Sequence, residues 1–245
     1  MTNENITQGN AKVEKARERS VNNLQCLYTV VISLAITVSL KNLFEDVFGC
    51  GTTPGRGILD FPGYCEHLLR FISFIFTVVP FFHGANRYLD ETYVTHESEA
   101  CKYALLIDFV ALFIEGLGIF VLAMYARIDN NFYAVLTGVL LFDIIWVLST
   151  YITAEGDKPK IKWWALVNIV TVFTVFIFLW SSLWASETVK SWMLMFTCVV
   201  RTALDYILVW PLYYPEIPEP FPARVRGKSN SKTRNCMTRR TQVRR

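Results

Sequence analysis

The chain has 245 residues, of which 53% are hydrophobic and 18% are charged, and its formal net charge is +3. Its length alone would fit one or two soluble domains, but the apolar residues are grouped into long runs separated by short polar segments. The runs are near 20 residues long and do not alternate, which excludes a transmembrane β-barrel with strands of about 10 residues. The composition therefore predicts an all-α, polytopic membrane protein.

Six apolar runs are each long enough to cross a bilayer as a helix, which takes about 20 residues. They cover residues 24–43, 68–88, 103–125, 132–151, 163–184 and 189–210. We therefore predict a polar N-terminal segment (1–23), a six-helix transmembrane domain (24–210) and a C-terminal tail (211–245). Within the first segment, residues 11–21 are predicted to form a short solvated helix.

The distribution of lysine and arginine predicts the orientation. With a cytoplasmic N-terminus, 18 of the 24 basic residues lie on the inner side and four in outer loops. Both termini are therefore expected in the cytoplasm, in either the plasma membrane or an internal membrane. No cleavable signal peptide is recognisable, so the first run is expected to act as an uncleaved signal-anchor.

The tail combines prolines with positive charge. Five prolines lie between 211 and 222, and nine basic residues with no acid follow from Arg224 onward. Such a composition predicts disorder and attraction to anionic lipid at the inner membrane surface. Nucleic acid is not an expected partner, because the basic stretch lacks aromatic groups for base stacking.

A stripe of hydroxyl groups marks the first apolar run. Thr29, Ser33 and Thr37 recur every four residues and therefore share one helical face. Two interpretations remain open. The stripe lines a pore formed by several copies of the chain, or the hydroxyls bond back to their own helix and assist helix packing.

Charged residues occur inside the later runs. They are Asp108, Glu115, Asp143, Arg201 and Asp205. A charge at the bilayer centre costs at least about 2.5–3.5 kcal/mol, so these groups must face inward, pair or contact water. Arg201 can neutralise only one acid, and Asp205 is its nearest candidate in sequence. The network either locks the helices together or provides a pathway for protons or cations.

The inner end of the second run carries His83 and Arg87, followed by Asp90 and Glu91 on the same helical face. Because histidine titrates near neutrality, we predict that His83 and Arg87 modulate the cytoplasmic mouth of a transport path. The alternative is an interfacial helix end held by salt bridges.

Cys50 and Cys65 flank the first outer loop, which is rich in Gly and Pro. An oxidising compartment would allow a disulfide between them; the alternative is two free thiols. The six cysteines fit no zinc site, and no HExxH, GxSxG, phosphate-binding loop or GxGxxG motif occurs. We expect no enzymatic activity, no cofactor and no metal site.

The first two runs resemble a known family. The segment from Leu24 to Thr37 is similar to the first helix of a six-helix potassium-channel family of bacteria, endosomes and lysosomes that lacks a carbonyl filter loop. That helix ends in Ala-Ile-Ala-Ile-Thr, to which residues 33–37 correspond, but the family's Phe-Ser-Asp hallmark is replaced by Leu-Tyr-Thr at 27–29. Ser73-Phe74 and Phe82-His83 resemble the family's second helix.

The resemblance implies a tetramer whose first helices surround the pore, with Leu34 as the constriction and Ser33 and Thr37 beside it. Hydroxyl rings can partly replace the hydration of an ion, and a ring of leucines can gate by dewetting. We therefore expect an oligomeric channel, or channel-like permeation protein, for monovalent cations. The alternatives are a proton-coupled transporter that uses the buried carboxylates and a non-transporting membrane scaffold or sensor.

Overall fold

A computed structural model describes residues 3–48, 61–95, 102–127, 129–153, 158–180 and 186–214. Nearly all of these residues are helical, and none of them lies in a strand. The predicted all-α class is therefore confirmed for this part of the chain. The structure describes nothing of the tail beyond Tyr214 or of the loop from 49 to 60.

Each predicted apolar run corresponds to one long helix. The helices are α1 (Asn3–Phe48), α2 (Phe61–Leu89), α3 (Lys102–Met124), α4 (Asp129–Thr153), α5 (Lys158–Trp180), α6 (Glu187–Leu208) and α7 (Trp210–Tyr213). A π-helical turn, Asp90–Thr95, continues α2, and a 3-10 turn, Tyr125–Arg127, follows α3.

Helix α1 differs from the prediction of two separate elements. It continues for 46 residues, so the polar segment 11–21 and the apolar run 24–43 form a single helix. Between Lys12 and Phe48 the sequence holds neither glycine nor proline. Because these are the two residues that most strongly disfavour a helix interior, nothing local ends the helix between the polar and the apolar part.

Five described segments are long and apolar enough to cross a membrane. They are Val13–Glu45, Cys65–Val94, Ala104–Met124, Asn131–Tyr151 and Glu187–Leu208. The apolar part of α5, Lys162–Phe178, is shorter than these. Several such helices in one chain indicate a multi-pass membrane protein.

The six long helices pack as a closed ring. Each contacts two main neighbours, in the order α1, α2, α6, α5, α4, α3 and back to α1. Two glycines of α3 permit close approach on its two sides. A Cβ atom at Gly116 would lie 3.1 Å from Cγ1 of Val31 in α1, and one at Gly118 would lie 2.9 Å from Cγ2 of Val139 in α4. The interior of the ring is largely apolar, but it holds several buried polar and charged side chains, which form the candidate site.

Candidate functional site

Four of the five predicted intramembrane charges meet inside the ring. Glu115 of α3, Asp143 of α4 and Arg201 and Asp205 of α6 are all buried, with at most 3% of each residue exposed. Asn168 of α5 is fully buried among them. We call these five residues the central acid cluster. Four consecutive helices of the ring, α3 to α6, contribute to it.

The amide of Asn168 joins the arginine to an acid. Its Oδ1 accepts hydrogen bonds from Nε and Nη2 of Arg201, at 3.1 and 2.8 Å. Its Nδ2 donates to Oδ2 of Asp143. The direct partners of the Arg201 guanidinium are therefore this amide, the Thr77 carbonyl at 3.5 Å and the Phe81 ring at 4.6 Å. The expected short pair between Arg201 and Asp205 is not formed.

Proline 80 explains how α2 meets this face of α6. A proline inside a helix donates no hydrogen bond to the carbonyl four residues earlier, which here belongs to Phe76. The hydroxyl of Thr202 donates to this oxygen at 2.5 Å. One turn of α2 thus presents two carbonyl oxygens, of Phe76 and Thr77, to consecutive residues of α6.

Each acid of the cluster has few hydrogen-bond donors. Glu115 accepts one long bond from the Tyr28 hydroxyl, at 3.4 Å, and Asp205 accepts one from the Tyr213 hydroxyl, at 2.5 Å. One oxygen of each acid, Glu115 Oε2, Asp143 Oδ1 and Asp205 Oδ1, is buried without a hydrogen-bond partner. Arg201 interacts electrostatically with all three carboxyl groups.

Asp108 lies apart from the cluster. Its carboxylate accepts hydrogen bonds from the Tyr93 hydroxyl at 2.7 Å, the Tyr88 hydroxyl at 3.1 Å and Nε1 of Trp146 at 3.1 Å. Both of its oxygens are thus bonded to neutral donors. Asp108 therefore has the surroundings of a structural acid, unlike Glu115, Asp143 and Asp205.

His83 lies between α2 and the C-terminal end of the described chain. Its Nδ1 is 3.0 Å from the Tyr206 hydroxyl, and its ring stacks on Tyr213 with 4.6 Å between centroids. Tyr214 approaches the same ring edge-on at 5.7 Å. Arg87, one turn further along α2, is half-buried. The predicted modulating histidine thus contacts α6 and α7, while its gating role stays a prediction.

The hydroxyl stripe of α1 lies on the outside of the protomer. Thr29, Ser33 and Thr37 are exposed, and Leu34 beside them is 53% exposed. The hydroxyls of Thr29 and Thr37 donate to carbonyl oxygens one turn earlier in α1, at 2.7 and 2.8 Å. The hydroxyls of Thr29 and Thr37 are therefore satisfied within α1, and the face that they share with Ser33 is exposed.

Part of the predicted set lies outside the described residues. Cys65 is half-buried and carries a free thiol, whereas Cys50 is not among the described residues, so the disulfide stays a prediction. The basic tail from Arg224 onward is likewise outside them. Within the described part of the chain, no group of three or more His, Cys, Asp and Glu side chains could hold a metal ion.

Two members of the site carry no charge and were not predicted as site residues. Asn168 had a signal in the sequence, since an amide in the middle of an apolar run has no partner in lipid. Tyr213 had none, because it follows the last apolar run and lies among the prolines that begin at Pro211. Its ring is nonetheless buried. Burial and the nearby charge of Asp205 raise the pKa of its phenol, which therefore keeps its proton and acts as the donor.

Comparison with known proteins found no relative: no family model, no curated protein and no solved structure matches this chain.

Proposed function

We propose that this protein is a proton-coupled membrane transporter for a monovalent cation, in which the central acid cluster binds the transported protons. One observation carries the proposal. Three buried carboxyl groups, each with one unpartnered oxygen, surround a single arginine that is hydrogen-bonded to an amide rather than to any of them.

The charge of the cluster determines what it would bind. Three ionised acids and one arginine leave an excess of negative charge, which is costly at a buried site. Protons or small cations offset that excess, whereas an anion would increase it. No group of three or more acid side chains in the described part of the chain is placed to hold a metal ion. The cluster itself therefore favours protons as its ligand.

The proposed setting is a membrane crossed six times with both termini in the cytoplasm. Helix α5 has 23 residues, which corresponds to about 34 Å at a rise of 1.5 Å per residue. The first residues of this helix are charged, but the apolar run continues in the sequence to residue 184, which supports α5 as the sixth span. The excess of Lys and Arg on the inner side supports the orientation. In this arrangement Asp143 lies near the middle of α4, away from both ends.

The test is cation-driven proton movement by the purified full chain in liposomes. A potassium or a sodium gradient is imposed, and the internal pH is followed with a trapped fluorescent dye. We expect one of these gradients to move protons, and Asp143→Asn or Asp205→Asn to abolish the movement. Asp108→Asn is the matched control, because Asp108 is also buried but lies outside the cluster.

Folding of each variant is checked by size exclusion and helical circular dichroism. Proton movement that is equal in the wild type and in folded Asp143→Asn would contradict the proposal. So would a loss of activity in Asp108→Asn as complete as that in Asp143→Asn.

A second candidate is an oligomeric cation channel with α1 around a central axis. It is favoured by the exposed face of α1, where Ser33, Leu34 and Thr37 lie with no helix of the same protomer over them. In a tetramer this face would form hydroxyl rings beside a leucine constriction. Single-channel recording tests it: Leu34→Ala and Leu34→Asn should raise the conductance or the open probability.

The two candidates make opposite predictions for the same variants. A channel lined by α1 should conduct normally when Asp143 is replaced by Asn and should respond to changes at Leu34. A transporter that works through the central acid cluster should respond to Asp143 and should tolerate Leu34→Ala.

A further inference from the structure

The short helix α7 inserts a tyrosine next to the central acid cluster. Helix α6 ends at Leu208, and Val209, with φ −104° and ψ 10°, leaves helical geometry before α7 begins. This break turns the chain so that Tyr213 folds back on α6 and becomes 98% buried, with 2% exposed. A residue beyond the last membrane-spanning helix therefore reaches the interior of the ring.

Tyr213 is the hydrogen-bond donor that holds Asp205. Its hydroxyl lies 2.5 Å from Asp205 Oδ2, and the other oxygen of that carboxyl group has no hydrogen-bond partner. The nearest positive charge, that of Arg201, is hydrogen-bonded elsewhere. Loss of the phenol would therefore leave Asp205 without a hydrogen bond from any described side chain.

The ring of Tyr213 is clamped from two sides. It stacks on His83 of α2, and it packs against Tyr206 of α6 with 4.9 Å between ring centroids. Gly84 leaves the space for its hydroxyl, since a Cβ atom there would lie 3.3 Å from the Tyr213 oxygen and 3.1 Å from the Trp164 ring. Helices α2 and α6 thus fix the phenol over the carboxyl group.

We propose that Tyr213 is a gate that covers Asp205 and closes the central acid cluster at the α7 end of the bundle. The proposal rests on the proposed transport function and names the element that controls access to its site. When α7 moves away, Asp205 Oδ2 loses the phenolic donor and meets water. It then takes a proton from a hydronium ion and leaves a water molecule, while the tyrosine keeps its own proton.

The position of the gate links it to the C-terminal tail. Tyr213 lies within the proline-rich stretch, between Pro211 and Pro215, and the basic segment follows at Arg224. Tyr213 is therefore a site residue that belongs to the predicted tail segment, 211–245, of which the structure describes the residues up to Tyr214.

Chemical labelling of Asp205 tests the gate independently of transport. The full chain in detergent is treated with a water-soluble carbodiimide and an amine, and modification of Asp205 is quantified by peptide mass spectrometry. We expect Asp205 to be protected in the wild type and its labelling to rise about tenfold in Tyr213→Phe, as expected when a hydrogen bond to a charged group is lost. Tyr213→Ala, which also removes the covering ring, should be labelled more.

Tyr206→Phe is the matched control. Tyr206 belongs to the same aromatic group, but its hydroxyl contacts His83 rather than an acid, so its loss should leave the labelling of Asp205 unchanged. If Tyr213→Ala does not fold, Gly84→Ala replaces it, since the new methyl group crowds the phenol. Labelling of Asp205 that is equal in the wild type, Tyr213→Phe and the folded second variant would overturn the gate.

The two proposals fail in distinguishable ways. If labelling rises in Tyr213→Phe but Asp205→Asn moves protons normally, Tyr213 covers Asp205 and the transport function is wrong. If Asp205→Asn abolishes proton movement and labelling changes neither in Tyr213→Phe nor in the folded second variant, the transport function stands and the gate is wrong.

Discussion

The hydroxyl of Thr202 in α6 donates a hydrogen bond to the backbone carbonyl of Phe76 in α2, at 2.5 Å. This carbonyl is the one that Pro80 deprives of its helical partner. In a membrane an unsatisfied backbone group costs several kcal/mol. The Thr202 hydroxyl of α6 therefore supplies the hydrogen-bond donor that the proline of α2 lacks. The same hydroxyl also lies 2.9 Å from the Cys198 carbonyl of its own helix.

Thr202→Val should therefore destabilise the bundle. We expect a loss of about 1–2 kcal/mol, because the Phe76 carbonyl loses its donor while the shape of the side chain is kept. Unfolding of the purified protein in mixed detergent micelles measures the change. Thr197→Val is the control on the same helix, since the hydroxyl of Thr197 bonds only to Met193 one turn earlier.

A double variant tests the explanation through Pro80. Pro80→Ala restores an N–H group that can bond to the Phe76 carbonyl, so Thr202→Val should cost less in that background than in the wild type. Equal costs in the two backgrounds would show that the proline does not create the need for Thr202.

Tyr93→Phe should lower stability without changing the proposed cation-driven proton movement. The Tyr93 hydroxyl makes the shortest of the three hydrogen bonds to Asp108, and its loss should cost about 1–2 kcal/mol. Tyr125→Phe is the control, since Tyr125 is half-buried and the structure records no hydrogen bond from it to another described residue. Changed ion selectivity in Tyr93→Phe would assign Asp108 to the transport path instead of to the scaffold.

Gly118→Ala should weaken the contact between α3 and α4. Its new methyl group would lie 2.9 Å from a methyl group of Val139, and overpacking of this kind typically costs about 1–3 kcal/mol. A Cβ atom at Gly138 of α4 would meet no neighbouring atom within 4 Å. Gly138→Ala therefore changes only the helix propensity, which favours folding by up to about 1 kcal/mol. In the same unfolding assay we expect Gly118→Ala to lower the free energy of unfolding and Gly138→Ala to raise it.

The positions of the helices follow from the sequence because the length of an apolar run is a local property. The predicted run 103–125 became α3, Lys102–Met124, and the run 189–210 became α6, Glu187–Leu208, apart from its last residues. There the chain leaves the helix at Val209, since Pro211 cannot continue a regular helix.

The partners of the buried side chains depend on the rotation of each helix and on the order of the ring, and neither is a local property. Arg201 and Asp205 are four residues apart, which predicted a pair, but each found a nearer partner on another element, Asn168 and Tyr213. In α1 the bulky residues Tyr28 and Ile32 turn inward, so the hydroxyl stripe that looked suited to a protein interior faces outward.

Asn168→Leu should lower the free energy of unfolding more than any of these other substitutions, because the one amide makes hydrogen bonds to groups of opposite charge. Removing it leaves the Arg201 guanidinium without two of its hydrogen bonds and Asp143 without its donor. Breaking a buried charged network in this way costs about 3–5 kcal/mol. Thr174→Val is the control on α5, since the hydroxyl of Thr174 bonds only to Val170 in its own helix. On the same scale, a decrease in the free energy of unfolding of less than about 1 kcal/mol for Asn168→Leu would mean that Arg201 and Asp143 find other hydrogen-bond partners. The amide would then not be what holds them.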